Sequence, residues 1–223
     1  DYGTNEVADH AIAMMLTFTR GMTAYHRTMT ADPAGNFHWK HGEPRRIRHK
    51  TFGVVGFGRI GTAALLRAKA FGMHIVGYDK YAPRGQEIAL EIERVESLEE
   101  VLERADVLSI HTPLTDETRH LLDATRLAAM KPGGYIVNTT RGQVLDYDAL
   151  YDALRSGHLR GAALDTFTPE PPPADMPLLQ LPNVTLSPHI AGASRFSATK
   201  AATMIAEDVA RFLAGDRPHH LCT

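Results

Sequence analysis

Short apolar segments alternate with helical segments along the chain from residue 51 onward. Continuous apolar runs that are separated by helices are typical of parallel strands buried on both faces of a sheet. Strands are predicted at TFGVVGFG, HIVGYD, IERV, DVLSIHTP, GGYIVNTT, LRGAALDTF and NVTLSPH, and a long helix is predicted at 193–214. The sequence therefore predicts an α/β fold, with a doubly wound parallel sheet and flanking helices.

The segment GFGRIG, from Gly56 to Gly61, follows the first predicted strand and precedes a predicted helix. Its glycines fit the pattern G-x-G-x-x-G, which is weak alone but has the required strand–turn–helix context here. Gly56 permits a tight turn, Gly58 lets the backbone approach a pyrophosphate, and Gly61 lets the helix pack closely. Backbone N–H groups near Arg59 and Ile60 are the expected phosphate contacts. The motif predicts a dinucleotide site in a Rossmann-type sheet.

The second predicted strand ends at Asp79, which lies 18 residues after Gly61. A carboxylate there accepts hydrogen bonds from the adenosine ribose and repels a 2′-phosphate, which favours NAD over NADP. Lys80 follows directly and counts against this preference, because a cation attracts a phosphate. The alternative for Asp79 is a turn residue at the end of a strand, without a cofactor contact.

Polar residues follow the later strands at the points where these strands end. Because ligands of open α/β sheets bind outside the carboxyl ends of the strands, these side chains are expected to converge on one crevice. The residues are His111, Thr112, Pro113, Thr139, Arg141, Asp165 and His189. Glu170 lies between the last two strands, in the stiff loop TPEPPP.

Three of these residues have the chemistry that hydride transfer to a 2-oxo acid requires. Arg141 could hold a carboxylate and polarise a ketone, because a guanidinium stays charged and binds oxyanions with two parallel hydrogen bonds. His189 could donate a proton near neutral pH, supported by the carboxylate of Glu170. Each residue alone also fits a structural role, as a surface ion pair, a core or cap histidine, or a loop charge. All three lie at or near the ends of neighbouring predicted strands that follow a dinucleotide motif in the sequence, and this favours the catalytic interpretation.

The chain before the first strand combines a helical segment with a polar connector. The segment 4–27 is predicted as one helix with two apolar rows, which indicates burial on two sides. It is either a core helix of this chain or a helix shared with another domain or subunit. The connector is predicted to be irregular, and its histidines, His38, His41 and His49, lack metal-site spacing. No metal site is predicted.

Composition narrows the possible function classes. The net charge of −2 provides no basic surface for nucleic acid. Cys222 is the one cysteine of the sequence, which excludes an intrachain disulfide and fits a reducing, cytoplasmic location. No segment predicts a membrane span or a signal peptide. The chain opens on DYGTNEVADH without an initiator Met, so it is expected to begin within a longer protein.

The chain resembles the D-isomer-specific 2-hydroxyacid dehydrogenases. The matching stretches occur in order over nearly the whole chain, and they are NEVADHAIAMML, TFGVVGFGRIG, LSIHTPLTDETRHLL, MKPGGYIVNTTRGQVLD, GHLRGAALDTFTPEPPP and LPNVTLSPHIAG. The resemblance implies NAD(H)-linked reduction of small 2-oxo acids, with Arg141, Glu170 and His189 as the catalytic residues.

The resemblance also implies contacts with the cofactor. Thr139 and Asp165 are expected near the nicotinamide, and Gly192 in the last matching stretch is a further expected cofactor-binding residue. Residues 111–113 are expected near the cofactor ribose. For His111, the alternative is a residue at the end of a strand that contacts no ligand.

Within the family, the stretches DYGTNEVADHA, RIRHKTFGVVGFGRIG and YDKYAP look most like bacterial members similar to the C-terminal-binding-protein branch. Eukaryotic corepressors of that branch carry a tryptophan shortly after the catalytic histidine, whereas Ile190, Ala191 and Gly192 follow His189 here. Formate dehydrogenases have glutamine where this chain has Glu170, which argues against formate. Two alternatives stay open, an NAD(H)-sensing module whose dimerisation recruits a partner and a dehydrogenase of phosphite.

The resemblance further implies a division into domains. Residues 1–190 are expected to form the NAD-binding domain, including the helix 4–27, which usually builds the homodimer in this family. Residues 191–223 are expected to form a C-terminal helix that returns to a substrate domain. Most of that substrate domain is expected to be missing from this sequence, so the chain alone should bind NAD yet turn over poorly.

Overall fold

The structure is a computed structural model that describes residues 2–35, 37 and 45–220. The predictions for His38 and His41, and the position of Cys222, lie outside the described residues. His49, the third histidine of the connector, is exposed. Over the described ranges, no group of three or more His, Cys, Asp or Glu side chains could hold a metal ion.

Within the described residues, seven strands form one parallel sheet, which confirms the predicted fold class. The order across the sheet is β3-β2-β1-β4-β5-β6-β7, so the chain builds outward from β1 in one direction and then in the other. The strands are β1 Thr51–Val55, β2 His74–Tyr78, β3 Glu93–Arg94, β4 Val107–Ile110, β5 Gly134–Asn138, β6 Leu159–Leu164 and β7 Val184–Leu186. Val55 lies opposite both Tyr78 and Ile110, so β1, β2 and β4 end level with one another.

Helices connect the strands and begin at clear sequence signals. Ser97, Asp123 and Asp146 each accept a hydrogen bond from the backbone N–H three residues later, which starts α5, α6 and α7. The helices are α1 Thr4–Thr19, α2 Met22–Ala31, α3 Arg59–Ala70, α4 Gln86–Leu90, α5 Leu98–Arg104, α6 Ala124–Ala129, α7 Tyr147–Arg155 and α8 Arg195–Leu213. The short helix α4 and the 3-10 helices at Gly142–Val144 and Pro177–Gln180 were not predicted.

The sheet separates two apolar clusters, because alternate residues of a strand point to opposite faces. In β5, Tyr135 and Val137 belong to one cluster with Met15 of α1 and Leu65 of α3. Ile136, between them, belongs to the other cluster, which includes residues of α5, α6 and α7. Both faces of the central strands are therefore covered, as the continuous apolar runs predicted.

The predicted helix 4–27 is two helices, so the prediction of one continuous helix was wrong. Gly21 has φ +68° and separates α1 from α2. This left-handed backbone conformation is readily available to glycine and it ends a helix. The N–H groups of Arg20 and Gly21 cap the end of α1 by donating to the carbonyls of Leu16 and Phe18.

The two separated helices differ in burial. The apolar rows of α1 pack on the chain's own core, where Ala8, Ala11, Ile12, Met14 and Met15 are all buried, and Phe18 stacks on Tyr135 with ring centroids 4.5 Å apart. This arrangement supports the core-helix interpretation for α1. In contrast, α2 has no buried residue among those described.

The last helix, α8, begins where the sequence predicted and packs weakly. Ser194 caps it by accepting a hydrogen bond from the N–H of Ser197, whose side chain caps in return. Ser197 is the one buried residue of α8 within the described part of the chain. Five apolar side chains of this helix are exposed, and they are Phe196, Ile205, Val209, Phe212 and Leu213. No described helix is long and apolar enough to cross a membrane.

The glycine turn between β1 and α3 depends on the missing side chain of Gly61. A Cβ at Gly61 would stand 2.0 Å from the carbonyl oxygen of Gly56 and 3.3 Å from the Cβ of His111. A Cβ at Gly58 would meet nothing within 4 Å. Close packing therefore requires glycine at position 61, whereas position 58 has free space around it.

Replacing Gly61 with alanine is expected to lower the free energy of unfolding by about 1–3 kcal/mol, because backbone must move to admit the methyl group. Gly58→Ala is the matched control and is expected to stay within about 1 kcal/mol of the parent. Denaturant-induced unfolding followed by circular dichroism measures both. Equal stability of the two variants would contradict this account of the turn.

Candidate active site

One cleft of about 910 Å³ lies at the carboxyl ends of the strands. It exists because parallel strands end at the same edge of the sheet, so the segments that follow them meet there. The predicted site residues that line it are Gly58, Arg59, Ile60, His111, Thr112, Pro113, Thr139, Arg141, Asp165, His189 and Gly192. Four other predicted residues lie outside its wall, and they are Gly56, Gly61, Asp79 and Glu170.

The glycine turn forms one wall of the cleft. Gly56 has φ +82°, a backbone conformation that residues with a side chain rarely adopt, and it gives the turn its shape. Gly61 contributes by its close packing against the carbonyl of Gly56. Gly58 is the residue before α3 and faces open space. The first N–H groups of an α-helix have no partner within the helix. The open space at Gly58 and these N–H groups together fit a pyrophosphate.

Asp79 ties the end of β2 to this glycine turn. Its Oδ2 accepts a hydrogen bond from the N–H of Phe57 at 2.9 Å. Its Oδ1 accepts from the N–H groups of Tyr81 and Ala82, at 2.8 and 2.9 Å. A carboxylate oxygen has two acceptor positions, so Oδ2 can accept a further hydrogen bond, such as one from a ribose hydroxyl.

Three polar atoms at the cleft are buried without a hydrogen-bond partner among the described residues. They are the Nδ1 of His111 and the Oγ1 atoms of Thr112 and Thr139. Buried polar groups nearly always have partners, so these atoms point to a bound molecule. Burial lowers the pKa of His111 to about 4, so its ring is neutral near pH 7, and its Nε2 lies 2.9 Å from the Oγ of Ser109. The unpaired atoms fit a dinucleotide, whose hydroxyl and amide groups donate and accept hydrogen bonds.

Arg141 is exposed at the cleft, at a corner that Asn138 organises. The Oδ1 of Asn138 accepts from the N–H and hydroxyl of Thr140, at 3.0 and 2.7 Å. Its Nδ2 donates to the carbonyl of Arg141 at 2.9 Å. The guanidinium of Arg141 donates to the carbonyl of Thr140 at 2.7 Å and otherwise faces the cleft. Asn138 was not predicted for the site, although its position at the end of an apolar strand was a visible signal.

His189 and Glu170 form a hydrogen-bonded pair at the mouth of the cleft. The Nδ1 of His189 lies 2.7 Å from the Oε2 of Glu170. The Oε1 of Glu170 accepts from the N–H of Phe167, also at 2.7 Å. Burial acts to raise the pKa of Glu170, but hydrogen bonds from Phe167 and His189 and the charges of His189 and Arg141 hold this pKa below its usual value. Glu170 is therefore an anion that accepts from Nδ1, which leaves the Nε2 of His189 for a substrate.

Asp165 is fully buried and holds the turn that carries His189. Its Oδ1 accepts from the hydroxyl of Ser187 at 2.6 Å and from the N–H of Ile190 at 3.0 Å. Its Oδ2 accepts from the N–H of Ala191 at 2.8 Å. His189 has φ +54°, a conformation that costs energy for a residue other than glycine. The carboxylate of Asp165 stabilises this turn from both sides of His189.

His10 of α1 completes the network around Asp165. Its Nε2 lies 2.8 Å from the Oγ of Ser187 and 3.6 Å from the Oδ1 of Asp165. Because the Ser187 hydroxyl donates to Asp165, His10 donates to Ser187 through Nε2. Neither His10 nor Ser187 was predicted for the site. The sequence signal that could have identified His10 was its polar side chain between the apolar rows of α1.

A second cavity, of about 570 Å³, lies on the Glu170 side of the pair. Ser187, Glu170 and His189 are the polar residues of its wall. Its other lining residues are apolar and are Phe167, Pro171, Pro172, Leu179, Leu186 and Pro188. The side chains of His189 and Glu170 themselves are 46% and 37% exposed, so the pair stands at the surface between this cavity and the cleft.

Replacing Asp165 with asparagine is expected to destabilise the turn that carries His189. An asparagine must direct its NH₂ group at a position where Asp165 now accepts from Ile190 or Ala191, so a buried N–H loses its acceptor. The expected loss in free energy of unfolding is about 1–3 kcal/mol, measured by chemical denaturation. Asp175→Asn, in an exposed loop, is the control and should change stability by less than about 0.5 kcal/mol. Equal stabilities of D165N and D175N would contradict this role of Asp165.

A family model described as "D-isomer specific 2-hydroxyacid dehydrogenase, NAD binding domain" matches residues 12–191. The chain is 41% identical over 217 residues to a D-3-phosphoglycerate dehydrogenase of Methanocaldococcus jannaschii, an alignment that covers 97% of this chain and 40% of the relative. It is 46% identical over 172 residues to a glyoxylate reductase of Korarchaeum cryptofilum, with 77% of this chain and 52% of the relative covered. The chain thus spans about half or less of the length of these relatives.

Solved structures have the same fold. The holo form of D-mandelate dehydrogenase from Rhodotorula graminis superposes with a TM-score of 0.90 at 34% identity, covering 100% of this chain and 67% of that one. D-lactate dehydrogenase with NAD⁺ from Lactobacillus jensenii superposes with a TM-score of 0.88 at 26% identity, covering 100% of this chain and 69% of that one. By the extent of the family match, this chain belongs to the D-isomer specific 2-hydroxyacid dehydrogenases as their NAD-binding domain.

Proposed function

We propose that the protein containing this chain reduces a small 2-oxo acid to a D-2-hydroxy acid with NADH, and catalyses the reverse oxidation. The observation that carries the proposal is the hydrogen bond of 2.7 Å between the Nδ1 of His189 and the Oε2 of Glu170. This pair stands beside a cleft that Arg141 and the glycine turn also line. A proton donor, an anion-binding cation and a dinucleotide site are the parts that this reaction needs.

His189 is proposed as the general acid of the reduction. Its Nδ1–H is held by Glu170, so Nε2 is the ring atom that gives its proton to the carbonyl oxygen of the substrate. The neighbouring carboxylate is ionised because its pKa lies below the usual range, and by accepting from Nδ1–H it orients the ring for this proton transfer. In the reverse direction, Nε2 of the neutral ring accepts the hydroxyl proton.

Arg141 is proposed to bind the substrate carboxylate and to polarise its 2-oxo group. A guanidinium stays protonated at every physiological pH and places two N–H donors side by side, which matches a carboxylate. The bonds of Asn138 around the turn fix the backbone from which this side chain reaches. Asn138 thus fixes the backbone of Arg141, and the guanidinium itself donates to the carbonyl of Thr140.

The cofactor contacts are proposed from the unsatisfied groups of the cleft. The turn at Gly58 and the first N–H groups of α3 would hold the pyrophosphate, and Asp79 the adenosine ribose. The Oγ1 atoms of Thr112 and Thr139 and the Nδ1 of His111 would bond to further polar groups of the dinucleotide. When bound, reduced nicotinamide supplies the hydride that adds to C2 of the substrate.

The domain organisation is also a proposal. Residues 1–190 would form the NAD-binding domain, and 191–223 the helix that returns to a substrate domain. The exposed apolar side chains of α8, Phe196 and Phe212 among them, support a role for this helix as a docking surface. The partial coverage of the longer relatives supports the same division.

The His189–Glu170 pair favours the dehydrogenase over the sensor. A sensor of NAD(H) that recruits a partner has no need of a proton donor, whereas His189 and Glu170 are hydrogen-bonded to each other. Phosphite as a substrate is tested by an assay with phosphite and NAD. The likeness to the C-terminal-binding-protein branch and the cytoplasmic location stay predictions.

Replacing His189 with alanine in the full-length protein is expected to lower the rate of 2-oxo acid reduction by about 10²–10⁴-fold, because the proton donor is lost. NADH binding is expected to persist. Steady-state assays with glyoxylate, pyruvate and hydroxypyruvate measure the rate, and fluorescence titration measures binding. Turnover equal to that of the parent would rule out this role of His189.

Glu170→Gln gives a second, distinct signature. Glutamine is a weaker, uncharged acceptor for the Nδ1–H of His189, so the ring is held less firmly and kcat/KM for reduction should fall by about tenfold or more. Steady-state kinetics measure kcat/KM, with Asp175→Asn as the control that keeps the parent value. A kcat/KM of E170Q equal to that of the parent would contradict the proposed support of His189 by Glu170.

A homodimer through α1 and α2 is proposed as well. It is supported by α2, which buries none of its residues in this chain, and by Met22, which is 61% exposed. Met22→Glu is expected to weaken self-association by about tenfold or more, because a charge enters an apolar interface. Sedimentation velocity measures the change, with Ile88→Glu, at a side chain 76% exposed on α4, as the control. A monomeric parent protein would contradict the dimer.

A further inference from the structure

We propose that Glu117 sets the preference of this domain for NAD over NADP by engaging Lys80, which would otherwise bind the 2′-phosphate of NADP. The inference rests on the proposed cofactor site and adds a specificity-determining residue to it. It accounts for two adjacent residues of opposite sign, Asp79 and Lys80, at the position that discriminates the two cofactors. Asp79 repels a phosphate, whereas a free lysine attracts one.

The sheet topology brings Glu117 to the adenosine side of the site. β1 lies between β2 and β4, so the segments that follow β2 and β4 stand on either side of the glycine turn. Lys80 and Tyr81 belong to the segment after β2, and Glu117 belongs to the segment after β4. A contact between these segments therefore joins the two segments that flank the glycine turn, which Asp79 holds through the N–H of Phe57.

Glu117 uses both of its carboxylate oxygens in this contact. Its Oε1 accepts from the Nζ of Lys80 at 3.0 Å, and its Oε2 accepts from the hydroxyl of Tyr81 at 2.5 Å. The Nζ of Lys80 lies 5.3 Å from the centroid of the Tyr81 ring, within the range of a cation–π interaction. The hydrogen bond to Glu117 is the largest cause that raises the pKa of Lys80. Lys80 is thus held, fully charged, between an anion and an aromatic ring.

Asp79 does not form the ion pair with Lys80, although it is the direct neighbour of Lys80 in the sequence. Its carboxylate is turned to the backbone, where it accepts from the N–H groups of Phe57, Tyr81 and Ala82. Among the ion pairs of the described residues, Lys80 pairs with Glu117 and not with Asp79. Without the charge of Glu117, an uncompensated ammonium would stand one residue from the ribose-binding carboxylate.

Two other cations near this segment have partners of their own. Arg84, which follows β2, forms two hydrogen bonds of 2.8 Å with Glu96, and Arg94 of β3 lies 3.6 Å from a carboxylate oxygen of Glu87. Removing the charge of Glu117 therefore leaves Lys80, rather than Arg84 or Arg94, without its ion-pair partner. The phosphate-binding capacity near Asp79 should depend on this one ion pair.

The test compares the dissociation constants of NADH and NADPH for the parent protein and for Glu117→Gln, by fluorescence titration at low ionic strength. In E117Q, the dissociation constant of NADPH is expected to fall by about fivefold or more, because released Lys80 pairs with the doubly charged phosphate. The dissociation constant of NADH is expected to change by less than about twofold. The side chains of Lys80 and Glu117 are 56% and 57% exposed, so substitutions at these two positions should leave the fold intact.

Two controls separate the ion pair from general charge effects. Asp116→Asn removes the same charge from the neighbouring exposed position and should leave NADPH affinity as in the parent. The double variant Lys80→Met, Glu117→Gln should lose the gain in NADPH affinity that E117Q shows. A gain confined to E117Q supports the proposal.

Three outcomes would overturn it. NADPH affinity could be unchanged in E117Q, the gain could be as large in D116N, or it could persist in the double variant. NADH binding by the parent is measured in the same series and tests the cofactor site itself. A parent that binds NADH while E117Q gains no NADPH affinity therefore refutes the role of Glu117 alone.

Discussion

The parallel pairing of the strands is the constraint on which the site depends. Every strand pair in the described sheet is parallel, so the glycine turn, the corner of Arg141 and the turn of His189 all follow strands that end at one edge. The helices that return the chain bury the strands on both faces, and this burial leaves the strand ends as the open part of the sheet. A charged side chain in the middle of β1 or β5 would be buried in one of the two apolar clusters.

Carboxylates bonded to backbone N–H groups fix the turns at this edge. Asp79 holds the glycine turn through Phe57, Asp165 holds the turn around His189, and Glu170 is itself held by Phe167. Bonds between a charged group and the backbone are stronger than neutral ones and do not depend on flexible side chains at both ends. The groups proposed to bind cofactor and substrate are thus positioned in advance, which would lower the entropic cost of the proposed reaction.

The fold was largely predictable because it rests on local patterns. Apolar runs and the glycine motif each act within a few positions of the chain, and the structure confirms the strands and the strand–turn–helix unit that they predicted. The break at Gly21 was missed because the apolar rows continue across it. A glycine within a helical pattern can lie inside one helix or mark the end of a helix. The network of His10 was missed because its partner, Ser187, is 177 positions away in the sequence.

The amino-acid sequence was enough to assign the class of the protein, since short segments contain the strands, the glycine turn and the strand-end residues in their order. It also determined which residue types could do chemistry. The sequence also indicated the pairing of Glu170 with His189, whereas only the folded structure revealed the pairings of Asp165 with the turn of His189 and of Lys80 with Glu117. The physical reason is that hydrogen bonds and ion pairs act over a few ångströms in space, whatever the separation along the chain, so the packed sheet must exist before the partners are defined.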